Sequence, residues 1–171
     1  MIDIIRGKEL PEQAAAEESF CRLYDYWRSV TPNGRMLPSR QHINPADITD
    51  LLGRIALVDV HHKENEIQFQ YRLWGSIMTE IMGQDCTGKF IHNLFSGNQL
   101  QTIQNAFESV VEFGCPHFCE VTWGVEDKEY RKYKRLLLPL AADGKKVNMI
   151  LRAIVELEPT VKQSSFSRYA H

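Results

Sequence analysis

The segment IQFQYRLWGSIMTEIMG, residues 67–83, changes its hydrophobic period at its midpoint. Apolar residues first occupy every second position, at Ile67, Phe69, Tyr71 and Leu73. Alternation at period two is typical of a strand with one buried face. After Gly75 the apolar residues recur at helical spacing, and Gly83 is placed to end a short helix. The segment therefore predicts a strand that leads directly into a helix.

Further strands are predicted on both sides of this segment. The apolar run IALVDV, residues 55–60, precedes it across a polar break, so the two strands should form an antiparallel hairpin. Downstream, residues 99–113 have the periodicity of a longer helix, and Gly114 suits its C-terminal cap. Three strands then close the chain, over residues 117–125, 130–140 and 147–157. The turn pair Asp143-Gly144 separates the last two strands.

The order of these elements predicts the fold class. The strands follow one another without the strand–helix–strand alternation of a doubly wound fold. We therefore expect an α+β fold in which a five-stranded antiparallel sheet carries helices on one face and an N-terminal amphipathic helix precedes it.

The N-terminal helix is predicted from four apolar residues spaced at i, i+3, i+4 and i+7: Phe20, Leu23, Tyr24 and Trp27. Such a stripe has to be buried, so this helix is expected to form a dimer interface or to cover the outer face of the sheet. The predicted organisation is a helical arm over residues 1–34, one domain over residues 35–158 and a polar tail over residues 159–171.

Length and charge exclude several classes of protein. The 171 residues suffice for one domain with a sizeable core. A formal charge of −2 argues against a nucleic-acid surface, because binding a phosphate backbone requires concentrated positive charge. The N-terminus lacks the apolar stretch of a secretory signal, and the longest apolar run, residues 136–142, is too short to cross a membrane. A cytoplasmic protein with reduced cysteines and no nucleic-acid or membrane partner is expected.

Three segments resemble the PAS superfamily, and specifically a bacterial group of small stand-alone PAS-like proteins. They are MLPSRQHINPADITDLLGRIALVDV, FQYRLWGSIMTEIMGQDCTGK and YRKYKRLLLPLAADGKKVNMIL, and the resemblance covers residues 35–156. It implies a five-stranded antiparallel sheet whose helices enclose a cavity on one face. It also implies a sensor of small molecules, redox state or light that dimerises through a flanking N-terminal helix.

The residues expected to face this cavity are aromatic and aliphatic, with one arginine: Tyr71, Leu73, Ile77, Phe95, Phe107, Val110, Trp123, Tyr133 and Arg135. They could surround an open pocket or fill a core. If the strand face that carries Arg135 is the inner one, its guanidinium should pair with an anionic group of a ligand, because a buried guanidinium needs a partner.

The stretch GQDCTGKF, residues 83–90, allows three interpretations. The first is a phosphate-binding loop, which follows a buried strand and has Ser or Thr after its lysine. Here a helical segment precedes the stretch, and Phe90 follows Lys89. A nucleotide site is therefore not expected.

The second interpretation is the flavin-adduct cysteine of light-sensing PAS relatives, with the pattern Gly-x-Asn-Cys-Arg-Phe-Leu-Gln. Gly83 and Cys86 match this pattern. The sequence departs from it at Asp85, Thr87, Gly88 and Phe90. Because the arginine that would face the flavin phosphate is missing, flavin binding is not expected. The third interpretation, a plain connection between two helices beside the cavity, is favoured, and the reactivity of Cys86 stays open.

Metal and haem sites are not expected. Cys115, His117 and Cys119 alternate along one segment, but a zinc site usually draws on a second ligand cluster, so they are interpreted as ordinary strand residues. The helix over residues 99–113 contains no histidine that could bind haem iron.

The predicted function is that of a small-molecule-sensing PAS-type regulatory module, with an unidentified ligand, acting through a homodimer or a separate partner protein. No catalytic motif is recognisable, so the chain is not expected to be an enzyme. Two alternatives remain: a ligand-free interaction adaptor with a filled core, and an enzyme of unknown type.

Overall fold

One antiparallel sheet of six strands forms the centre of the computed structural model, which describes residues 2–4, 10–125 and 128–157, with side chains over 10–121 and 132–157. The strands are β1 (Ile2–Ile4), β2 (Ile55–His62), β3 (Ile67–Trp74), β4 (His117–Val125), β5 (Lys128–Leu140) and β6 (Met149–Leu157). Their order across the sheet is β1-β4-β5-β6-β2-β3. The predicted C-terminal tail, residues 159–171, lies outside the described residues.

The described helices fall into two groups. The α-helices are α1 (Glu12–Ala15), α2 (Glu18–Ser29), α3 (Ser76–Met82), α4 (Ile91–Leu94) and α5 (Gly97–Phe113). Three short 3-10 helices precede β2, at Arg40–His42, Pro45–Ile48 and Leu52–Arg54. None of the helices in the described ranges combines the length and the apolar character needed to cross a bilayer.

The predicted α+β fold with five antiparallel strands is confirmed, and a sixth strand joins it. β1 pairs with β4, with Ile2 opposite Cys119 and Ile4 opposite His117. A strand of three residues is too short to show a period, so the sequence pattern did not predict it. Its position pairs an edge of the sheet that would otherwise present unsatisfied backbone groups.

Different helices cover the two faces of the sheet. On the face we call the inner face, the Phe107 ring of α5 lies 5.2 Å from the Phe69 ring of β3. On the opposite face, the outer face, the Phe20 ring of α2 lies 6.3 Å from the Phe118 ring of β4. Successive residues of a strand point to opposite faces, so each strand contributes side chains to both helical layers.

Helix α2 lies on the outer face, and it and the residue before it are bonded to β5 at two points. Trp27 Nε1 donates a hydrogen bond to the backbone oxygen of Pro139 at 2.9 Å. Lys134 Nζ forms an ion pair with Glu17 at 2.7 Å. All four stripe residues are buried by other residues of the same chain: Phe20, Leu23, Tyr24 and Trp27. The stripe therefore covers the sheet instead of presenting an apolar surface to a second copy.

A bulge in β3 changes which residues reach the inner face. Val58 pairs with Tyr71 and Leu57 pairs with Leu73, so Arg72 is an extra residue in the ladder. Beyond the bulge the alternation reverses. Leu73 is 38% exposed, whereas Trp74 is buried with its ring 4.6 Å from the Tyr71 ring. The expectation that Leu73 lines the cavity is wrong because period-two alternation does not continue through a bulge.

Candidate ligand-binding site

Four polar side chains from four strands meet on the inner face. Tyr71 lies on β3, Cys119 on β4, Arg135 on β5 and Arg152 on β6. We call these residues the inner-face polar cluster. Their common face follows from strand register: Cys119 pairs with Arg135, and across β2 the row of Tyr71 ends at Ile150, two residues from Arg152 on the same face.

Arg135 is the most deeply placed charge of the cluster. Its side chain is 2% exposed, and its guanidinium carbon lies 6.0 Å from the centre of the Phe107 ring. Nη2 donates to Cys119 Sγ at 3.1 Å, and sulfur is a weak acceptor. Nε is buried and has no hydrogen-bond partner among the described residues.

Arg152 is half-buried and stacks against two aromatic rings. Its guanidinium carbon lies 5.4 Å from the centre of the Trp74 ring and 5.8 Å from that of Tyr71. Nη1 donates to the Tyr71 hydroxyl oxygen at 2.8 Å, while Nε is buried without a partner in the described part of the chain. Burial lowers the pKa of Arg152, and the positive charge of Arg135 lowers it further.

The Tyr71 hydroxyl is a proton donor that the cluster does not consume. Burial raises its pKa, so the phenol stays neutral at physiological pH, although the neighbouring arginines oppose that shift. Its oxygen accepts from Arg152, which leaves the O–H proton able to donate to a third group.

Among the side chains that the structure describes, the two arginines of the cluster have no acidic partner. The ion pairs between described residues join Arg22 with Asp50, Arg72 with Asp59 and Lys134 with Glu17. Within the described ranges, no carboxylate lies at ion-pair distance from Arg135 or Arg152. Buried charges in proteins are normally paired, so this arrangement is unusual.

A cleft of about 250 Å³ opens at the edge of this region, between β3, α4 and α5. Seven residues line it: Glu66, Ile67, Gln68, Phe69, Ile91, His92 and Gln104. Phe69 is shared by the cleft and the inner face, because its ring also contacts Phe107. The Phe69 side chain therefore lies between the cleft and the Phe107 ring, which contacts Arg135.

Several residues expected to line the cavity do reach the inner face. Tyr71, Phe107, Tyr133 and Arg135 are buried there, and Val110 and Phe95 are buried on α5 and directly after α4. Ile77 instead packs beside Gly53, where an added Cβ would lie 3.0 Å from its side chain. Only the backbone of Trp123 is described, so its expected role lies outside the described side chains.

Sequence reasoning missed Arg152, Trp74 and Cys119 as members of this region. Trp74 depends on the bulge, which leaves no local signal. Arg152 had a weak signal: it lies between Ile150 and Ile154 in the period-two pattern of β6, on a strand face that also carries Glu156.

The loop over residues 83–90 is a connection that also extends the sheet edge. Gly83 and Gly88 adopt positive φ values of 74° and 81°, a region that favours glycine. The backbone N–H of Gly88 donates to the backbone oxygen of Tyr71 at 2.6 Å, and the backbone N–H of Tyr71 donates to the backbone oxygen of Lys89 at 3.0 Å. The loop therefore runs along β3 and closes one side of the polar cluster.

Cys86, inside this loop, is fully buried, and burial raises the pKa of its thiol. Because the thiolate is the reactive form, we expect Cys86 to react with a thiol reagent about tenfold or more slowly than the partly exposed Cys21, since it must wait for local opening. The two rates are measured on single-cysteine variants that retain either Cys86 or Cys21, by following the absorbance of a chromogenic thiol reagent at neutral pH. Equal rates would contradict the burial described.

Comparisons with known proteins agree with this architecture. Residues 15–155 match a family model described as PAS domain. No curated protein matches the sequence at a significant level.

Similar solved structures include light-oxygen-voltage proteins. The Rhodobacter sphaeroides LOV protein is 13% identical with a TM-score of 0.47, covering 85% of this chain and 71% of that one. A variant of RsLOV is 13% identical with a TM-score of 0.48, and the match covers 82% of this chain and 70% of that one. An RNA-binding light-oxygen-voltage receptor is 12% identical with a TM-score of 0.47, and the match spans 73% of this chain and 35% of the receptor. Likeness of this degree identifies no ligand.

Proposed function

The chain belongs to the PAS domain family, and from that premise we propose that it is a sensory module that binds a small molecule on the inner face of its sheet. The response passes to a second copy of the chain or to a separate output protein. A PAS domain is generally a sensor domain, which supports a regulatory role and leaves catalysis without support.

The observation that carries this proposal is the composition of the inner face. A face that served only as a core would be apolar throughout, because buried polar groups cost free energy unless they are well paired. Here aromatic rings surround hydrogen-bonding groups that the protein itself does not fully use, notably Nε of Arg135 and of Arg152. Apolar walls with a few convergent polar groups are the usual composition of a small-molecule site.

Strand β5 offers a route from such a site to the N-terminal arm. Arg135 reaches the inner face, and its neighbour Lys134 reaches the outer face, where it pairs with Glu17. Four residues after Arg135, the backbone oxygen of Pro139 accepts a hydrogen bond from Trp27 Nε1. A ligand that shifts β5 would therefore change the position of α2. This requires that the ligand bind the shifted conformation more tightly than the unshifted one.

Native mass spectrometry of the full-length protein tests this proposal. We expect a bound small molecule that is lost on denaturation, and a homodimer or a stable complex with another protein. A monomer that carries nothing and binds nothing in a screen of metabolites would contradict it.

The second candidate is a ligand-free adaptor with a filled core. It is favoured by the complete burial of Phe69, Tyr71 and Phe107, each 0% exposed, on the inner face. In that case the sheet and arm would serve only as a binding surface for another protein. The Phe107 substitution argued in the Discussion separates the two candidates.

The fold is compatible with a flavin, but the residues present fit one poorly, and we propose that none is bound. The contact between the Phe69 and Phe107 rings, with centroids 5.2 Å apart, leaves no room for a third ring between them. The thiol of Cys86 is buried within its own loop, with Sγ 3.8 Å from the Gln84 backbone oxygen. The absorbance spectrum of freshly purified protein is therefore expected to show no visible band, and a haem band is likewise not expected.

A further inference from the structure

We propose that Arg135 and Arg152 together bind an oxyanion, the carboxylate or phosphate group of the small ligand. This inference rests on the proposed function and deepens it, because it assigns the chemical class of the ligand and the side chains that recognise it.

The two arginines are placed to act on one group. Arg135 pairs with Ile154 across β5 and β6, and Arg152 lies two residues from Ile154 on β6. They are therefore diagonal neighbours on the same face, at a separation that long side chains can bridge. The lowering of the Arg152 pKa by the charge of Arg135 reflects the same proximity.

Several donors remain available at this position. The two buried Nε atoms have no hydrogen-bond partner among the described residues, and the Tyr71 hydroxyl can donate its proton. Guanidinium donors in a fixed planar fork match the two oxygens of a carboxylate or phosphate. One oxyanion could accept from both arginines and from Tyr71.

The contacts that each guanidinium already makes do not offset its burial. Stacking on Phe107, Trp74 and Tyr71 stabilises each guanidinium only modestly. Moving an unpaired charge out of water costs more than such contacts return, even after relaxation of the protein. Two such cations side by side also repel each other, and a bound oxyanion would remove both penalties.

The surroundings indicate the remainder of the ligand. The rings of Phe107 and Trp74 stand over the two guanidiniums, and the cleft of about 250 Å³ reaches Phe69 from the outside. Because the Phe69 and Phe107 rings are in contact between the cleft and Arg135, an oxyanion on a compact apolar body would reach the arginines only when these rings move apart.

Ligand-dependent thermal shift and calorimetric titration of the full-length protein test the proposal with three probes. Benzoate presents a carboxylate on an apolar ring, benzamide is its neutral analogue of nearly the same shape, and inorganic phosphate presents an oxyanion without a body. We expect benzoate to bind at least about tenfold more tightly than benzamide, since a charge-assisted hydrogen bond is lost in the amide. Phosphate binding stronger than that of benzoate would assign the site to phosphate esters.

Arg135→Met and Arg152→Met each remove one guanidinium while keeping an apolar side chain. We expect each substitution to weaken benzoate or phosphate binding by about tenfold or more. Without any probe, Arg135→Met should raise the melting temperature by about 2 to 4 °C, because it replaces an uncompensated buried charge. Arg72→Met, on an exposed arginine of β3, changes the net charge equally and should leave probe affinity unchanged.

The outcomes separate this inference from the proposed function. If benzamide binds as tightly as benzoate and phosphate, a small-molecule site exists but the oxyanion assignment is overturned. The assignment is also overturned if Arg135→Met lowers the melting temperature and leaves probe affinity intact, since the arginine would then be structural. If neither benzoate nor phosphate binds, the oxyanion assignment is overturned, and if native mass spectrometry also shows no ligand, the proposed function fails as well.

Discussion

Replacing Phe107 by alanine is expected to lower the free energy of unfolding by about 3 to 5 kcal/mol. The Phe107 side chain is 0% exposed, its ring contacts that of Phe69 at 5.2 Å, and the guanidinium of Arg135 lies over it. Alanine would leave a cavity in the middle of the layer between α5 and the sheet. Urea unfolding of the full-length protein measures the loss, read from the midpoint at unchanged m-value.

Phe113→Ala is the matched control for this substitution. Phe113 ends the same helix but is 44% exposed, so its truncation should change stability by less than about 0.5 kcal/mol. The same pair of variants distinguishes a sensor from an adaptor. In a sensor, Phe107→Ala also changes the affinity for a bound small molecule, whereas in a filled core it changes stability alone. A loss below about 1 kcal/mol would contradict the packing described.

Gly75→Ala is expected to cost about 3 kcal/mol or more, because its added methyl group would meet backbone atoms that cannot move aside. A Cβ at Gly75 would lie 2.4 Å from the Gly53 oxygen and 2.7 Å from the Leu52 oxygen. This is the point where β3 turns into α3 against the last 3-10 helix. The clash should push α3 away from the sheet, and thermal unfolding monitored by circular dichroism would record a lower midpoint.

Gly53, whose backbone lies against Gly75, provides the control substitution for Gly75→Ala. A Cβ at Gly53 would meet the end of the flexible Ile77 side chain at 3.0 Å, which can rotate away. Gly53→Ala should therefore cost no more than about 1 kcal/mol, well below Gly75→Ala. Equal losses from the two variants would show that the approach of the two backbones is not the determining contact.

Much of the fold could be predicted because it depends on local periodicity. The strand predicted over residues 117–125 is β4 with the same bounds, and those predicted over 130–140 and 147–157 differ from β5 and β6 by two residues at their starts. The longer helix ends as predicted at Gly114, whose φ of 58° explains the choice of glycine. In each case the deciding signal lay within a few residues of the element.

The candidate site was less predictable because it depends on the register between strands. Sequence reasoning named Arg135 but could not decide which face it occupies, and pairing with Cys119 and Ile154 places it on the inner face. Arg152 joins Arg135 only because β6 lies beside β5 in the sheet. Leu73 and Trp74 exchange faces through a bulge that involves Arg72 and the partner strand β2.

The amino-acid sequence by itself determined the order and type of the longer elements and the amphipathic helix, because periods, turn residues and caps act over short distances. The resemblance of three segments indicated the PAS family. Only the tertiary structure decided that helix α2 covers the outer face and that two arginines from neighbouring strands lie diagonally next to each other on the inner face. Both features depend on pairing and packing between residues far apart in the chain. A local sequence pattern does not indicate which distant residues will be in contact.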